Sequence, residues 1–173
     1  MRRNMLIADL RRKRDIYNAD GAGASMLRIM ISDGTSAMLY YRAMRLLAKN
    51  RLLRPISYVV QYVNKVVNGC LIGVHADFGA GFVIMHPIGV VINSKVRGGM
   101  NVTLESGVVI GDEKGRSPVL GDNVFVGSGA KIIGGVVVGS NTKIGANAVV
   151  VKDVPSGATA VGVPARPVAM HVG

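Results

Sequence analysis

Between Leu120 and Val150 an aliphatic residue returns at every sixth position: Leu120, Val126, Ile132, Val138, Ile144, Val150. Followed back to Ile72, the same column holds fourteen positions, and only Lys114 is neither aliphatic nor Phe. The column three residues later has no aliphatic member, and from Asn123 on it reads Asn123, Gly129, Gly135, Asn141, Asn147. Gly and Asn are the residues that best tolerate positive φ. Neither a helix nor an ordinary strand has period six. A short strand followed by a tight turn does, and such units stacked about 4.8 Å apart pair into parallel sheets. Three sides close a triangular coil of about 18 residues, so residues 72–155 supply between four and five coils of a parallel β-helix. The segment GDEKGRSPV (111–119) contains the one break and reads as a protruding loop.

The composition suits that fold. The chain has no Trp and only 5 Tyr and 3 Phe, against 23 Gly, in 173 residues. This is a poor recipe for a large helical globule and a good one for stacked aliphatics joined by backbone-directed turns. Residues 1–69 are different and read as a helical segment. TSAMLYYRAMRLLAKN carries Met38, Leu39, Met44, Leu46 and Leu47 on a broad stripe. RPISYVVQYVNKVVNG has Pro55 in a first-turn position and an Asn68-Gly69 stop. Residues 4–17 form a third helix and NADGAGAS (18–25) a loop. The expected organisation is thus a helical segment over 1–69, a coil over 70–155 and a C-terminal tail over 156–173.

The net charge is +11, and residues 1–69 hold 13 Lys/Arg against 4 Asp/Glu. That basic segment could face an anionic membrane, a phosphorylated substrate or only solvent. No nucleic-acid motif accompanies it, so no nucleic-acid partner is expected. The single cysteine, Cys70, excludes an internal disulfide framework and fits a cytoplasmic setting. The charged N-terminus does not read as a signal peptide, and no run approaches the roughly 18 apolar residues of a membrane span.

Histidines supply the main candidates for chemistry. His171 falls in the tail, His75 at a turn, and His86 on the coil in IMHPIGVVI. Taken alone, His86 is compatible with surface decoration as well as with proton transfer. Two histidines without a third ligand do not make a catalytic zinc site, so no metal is expected. There is no Gly-x-Ser-x-Gly elbow, P-loop or His-Glu-x-x-His.

Three stretches go further: MHPIGVVI (85–92), SPVLGDNVFVGSGAKIIGGVVVGSNTKIGANAVVVKDVP (117–155) and ATAVGVPARPV (158–168). Together they resemble the serine acetyltransferase branch of the hexapeptide-repeat acyltransferases. The resemblance implies a left-handed parallel β-helix behind the α-helical segment, acting as a homotrimer on acetyl-CoA. It implies that His86 is the general base that takes the proton of an acceptor hydroxyl. It places Ser128 and Ala146 beside the pantetheine arm, Arg166 near the nucleotide phosphates, and Arg116 and Ser117 near the acceptor or oxyanion.

The same resemblance marks departures. Ser117 stands where the family has a second active-site histidine, Met85 where it has an acid, and Leu71 where it has the aspartate that orients the base. Without those acids a zwitterionic amino acid has less to hold it. The expectation is therefore an acetyl-CoA-dependent O-acetyltransferase acting on a sugar hydroxyl in polysaccharide biosynthesis, in the cytoplasm and in contact with its membrane. A serine O-acetyltransferase of cysteine biosynthesis and an inactive trimeric scaffold are the alternatives.

Overall fold

The structure, a computed structural model, describes residues 5–168; His171 lies outside them. Four helices come first: α1 (Met5–Ala19), α2 (Met26–Ile31), α3 (Thr35–Leu47) and α4 (Arg54–Asn68). Three occupy the runs read as helical. The six-residue α2 is not announced by periodicity, because it makes fewer than two turns; Ser25 caps it by accepting the Arg28 N–H. The stripe expected on α3 is also partly different. Ala37, Met38, Tyr41 and Met44 are buried, while Leu46 is exposed, because Tyr41 is the residue that packs onto the coil.

The coil begins at once after the left-handed Gly69 cap of α4. Its first turn is β1 (Leu71–Ile72), β2 (Asp77–Phe78) and β3 (Val83–Ile84). The second is β4 (Val91–Ile92), β5 (Arg97–Gly98) and β6 (Thr103–Leu104). The third is β7 (Val109–Gly111), β8 (Val119–Leu120) and β9 (Phe125–Val126). The fourth is β10 (Lys131–Ile133), β11 (Val137–Val138) and β12 (Lys143–Ile144). A fifth is made by β13 (Val149–Val150), a bridge from Val154 to Val138, and β14 (Thr159–Val161). Strand β15 (Arg166–Val168) then returns antiparallel along β14. The segment read as a tail therefore carries two strands.

Stacking produces three parallel faces: β1-β4-β7-β10-β13, β2-β5-β8-β11 and β3-β6-β9-β12-β14. Every aliphatic or Phe member of the six-residue column is buried, with at most 2% exposure. Its phase nevertheless slips. On the first face the stacked residues are Ile72, Ile92, Ile110, Ile132 and Val150, not Val90 or Val108. Two extra residues at the corner between β3 and β4 move the stacking position two residues later, and four more between β7 and β8 restore it. Strands alternate with period two, so a slip of two exchanges one inward position for another and exposes nothing. One stacked position is Gly98, where the Phe78 ring takes the space a Cβ would need, 2.2 Å away.

The loop expected at 111–119 is a small hairpin. Glu113 and Arg116 exchange backbone hydrogen bonds at 3.0 Å across Lys114 and Gly115, both at positive φ. Lys114 breaks the column because it sits at the tip.

The helices close the open end of the prism, where unpaired backbone groups of the first turn would otherwise face solvent. Buried Asp9 of α1 takes the Gly81 and Phe82 N–H groups at 2.8 and 2.9 Å. It also pairs in two-pronged fashion with Arg42 of α3, at 2.7 and 2.9 Å. Arg42 in turn donates to the Phe78 and Gly79 carbonyls. Tyr41 packs edge-on against Phe78 and Phe82, and its hydroxyl accepts the Phe78 N–H. Among the described residues no helix is long and apolar enough to cross a membrane.

Candidate active site

His86 stands where the two extra residues bulge the corner between β3 and β4. Its ring is half exposed, and Nδ1 lies 2.9 Å from Oδ2 of Asp33. A neutral imidazole held by a carboxylate at Nδ1 carries its proton there and leaves the Nε2 lone pair free.

Asp33 comes from the turn between α2 and α3, 53 residues from His86. That turn can reach the coil because Gly34, at φ +77, has no side chain. A Cβ on it would lie 2.2 Å from the Ile84 carbonyl oxygen and 3.0 Å from that of Met85. Leu71, the position where the resemblance expects the orienting aspartate, pairs with Val91 within the first face. The carboxylate is therefore supplied by the helical segment and not by the coil. Sequence reasoning missed it because no local period links residues so far apart; the Asp-Gly turn between two apolar runs was the one available sign.

Ser128 and Ala146 lie on the same edge of the prism as His86. Both are exposed, at the corners between β9 and β10 and between β12 and β13. Backbone bonds run down this edge: Gly107 to Ile88, Gly129 to Ser106, Asn147 to Ser128. At about 4.8 Å per turn, the edge extends about 14 Å from the level of His86 to that of Ala146. Below it the chain folds over Val149, which donates to the Gly162 carbonyl while its own carbonyl accepts from Ala165. Arg166 follows, exposed. One edge thus offers a histidine at the top, a row of small residues, and a cation at the bottom.

Arg116 and Ser117 are elsewhere in this chain. Their hairpin joins β7 to β8, at the opposite edge of the first face. Arg116 is exposed and lies over Gly135, and Ser117 donates to Asp112. His75 is on that same opposite edge, between β1 and β2.

Beside His86 a cleft of about 330 Å³ opens between α1 and the outer surface of β6 and β9. Met85 lines it together with Arg12, Asp20, Asn101, Thr103 and Glu105. Asp20 and Glu105 bring two carboxylates to a site where the sequence showed only Met85. The Nε of Arg12 is buried with no hydrogen-bond partner among the described residues. Cys70 has no such role: burial pushes its thiol up to about 12, so it is not a nucleophile near neutrality. Among the described residues no three His, Cys, Asp or Glu side chains converge as metal ligands would.

Residues 117–152 match the family described as bacterial transferase hexapeptide (six repeats). The chain is 34% identical over 161 residues to a serine acetyltransferase of Bacillus pumilus, covering 90% of this chain and 74% of that one. It is 40% identical over 112 residues to a serine acetyltransferase of Helicobacter pylori, and the match covers 62% of this chain but only 65% of the relative's length. Among solved structures, the Neisseria gonorrhoeae serine acetyltransferase in complex with serine superposes with a TM-score of 0.87 at 35% identity, over 96% of this chain and 68% of that one. A serine acetyltransferase in complex with CoA gives 0.86 at 30% identity, over 95% and 68%. The left-handed parallel β-helix behind a helical segment is the fold these structures share.

Proposed function

The chain belongs to the serine acetyltransferase family, and we propose that it transfers the acetyl group of acetyl-CoA to the hydroxyl of serine. Asp33 holds the His86 ring through Nδ1. Nε2 takes the proton of the serine hydroxyl as its oxygen attacks the thioester carbonyl. The tetrahedral intermediate collapses by breaking the carbon–sulfur bond, and the imidazolium returns the proton to the departing thiolate. The products are O-acetylserine and CoA with a free thiol. Coenzyme A lies along the His86 edge, its pantetheine arm against Ser128 and Ala146 and its phosphates near Arg166.

The observation that carries this reading is the His86–Asp33 pair at 2.9 Å, at the head of that row of small residues. Serine gains over the sugar hydroxyl from the cleft. Asp20 and Glu105 suit an ammonium, and Arg12, which lines the same cleft, brings the positive charge that suits a carboxylate. Relatives named serine acetyltransferase favour the same acceptor. The assembly is read as a homotrimer, which would set the Arg116 edge of one prism beside the His86 edge of the next.

Thiol release from acetyl-CoA tests the proposal. Turnover with L-serine is expected, and His86→Ala should lower kcat roughly 10²–10⁴-fold. Release that depends on a sugar and not on serine would restore the polysaccharide reading. Failure to bind acetyl-CoA in calorimetry would leave a scaffold.

A further inference from the structure

Lys13 of α1 is fully buried, yet no carboxylate lies within ion-pair distance of its ammonium among the described residues. Its Nζ donates to the backbone carbonyl of Asp33 and, at 3.1 Å, to Oγ1 of Thr35. A buried ammonium with only neutral acceptors is costly, and an apolar residue of similar length would fill the same space at less cost. The two acceptors flank Gly34, the residue pressed onto the Ile84 and Met85 carbonyls. The rest of the turn is equally fixed. Thr35 Oγ1 donates to the Ile29 carbonyl at 2.7 Å and lies 3.2 Å from Ser32 Oγ, while Asp33 Oδ1 accepts the Gly34 N–H at 3.1 Å. One carboxylate oxygen is thereby committed to the turn, and the other meets His86.

We propose that Lys13 is a positioning residue for His86: its ammonium clamps the Asp33–Gly34–Thr35 turn against the coil and so fixes which ring nitrogen carries the proton. The inference rests on the reading of His86 as the base. In this chain the orienting carboxylate comes from a turn between helices and not from a strand of the coil, so its place depends on how that turn is held against the coil. Lys13 touches neither substrate nor the reacting atoms and acts only through Asp33.

Nitrogen-15 NMR of the imidazole rings in the full chain tests this without reference to turnover. Wild type is expected to show His86 as the Nδ1-protonated tautomer, with Asp33→Asn as the control that abolishes it. Lys13→Met should give a mixture of tautomers and a kcat lowered roughly 10- to 100-fold with KM little changed, as for a misplaced catalytic group. A folded Lys13→Met protein with the wild-type ring spectrum and kcat overturns the proposal. If that variant does not fold, Thr35→Val decides by removing one of the two acceptors: a shifted tautomer supports the clamp and an unshifted one overturns it. A clamp seen by NMR in a protein that releases no thiol with serine would sink the assignment of function and leave the clamp standing.

Discussion

A single buried charge shows what a residue costs and what it does. Burial lowers the Lys13 pKa from 10.5 to about 8, against the opposing pull of Asp33. The folded state therefore binds fewer protons than the unfolded chain between about pH 8 and 10.5. Below pH 8 the full penalty for burying the ammonium is present, and it is relieved as pH rises through that window. The expected outcome is that the stability of wild type, measured against Lys13→Met in urea, rises by about 3 kcal/mol from pH 8 to above 10.5. A flat difference would mean that the ammonium is better solvated than its burial implies. The cost is borne at neutral pH by the residue that holds the Asp33 turn, which fits a role in function better than one in stability. His86 was legible in the sequence because its stretch resembles a family motif. Lys13 and Asp33 were not, because neither has a neighbour in the sequence that betrays its partner.

At the level of elements, the helices and the coil depend on each other. The first turn of the coil has no turn above it, and α1 and α3 satisfy its backbone through Asp9, Tyr41 and Arg42. Asp9→Asn leaves Arg42 buried without its counter-charge. It should destabilise the protein by roughly 3–5 kcal/mol, the usual cost of breaking a buried pair from one side, read as a lower urea midpoint. If that midpoint does not move, the helices are an ornament on an independently stable coil. The coil itself was read from its hexads, including how many turns it makes, but the phase of the column over residues 90–108 was not. The two-residue bulge at His86 leaves the hydrophobic pattern intact, so a slip that matters for the site was silent in the sequence. The hairpin at 112–118 was visible as a break, and its antiparallel form came from the Lys114-Gly115 turn.

The whole molecule leaves much apolar surface uncovered. On α4 the inward residues include polar Ser57 and Asn64, whereas Ile56, Val59, Tyr62 and Val66 face outward, Tyr62 and Val66 each 65% exposed. Ile88 beside the site and Val163 below it are more exposed still. A monomer seldom presents that much apolar area. Sedimentation velocity is expected to show a particle of three 18.2 kDa chains, with Val59→Lys/Val66→Lys shifting it toward smaller species; a wild-type monomer at micromolar concentration would refute the homotrimer. The period of six is enough to dictate the coil, because it can bury its aliphatics in only one way, and it puts His86 on that coil without showing the bulged corner where it stands. What the histidine faces is set by the packing of the helices on the prism. Asp33, Lys13, Asp20 and Glu105 converge on it or on the cleft beside it across separations of up to 92 residues. Contacts over such separations depend on how α1 and the α2–α3 turn settle on the prism, which leaves no mark on any local pattern.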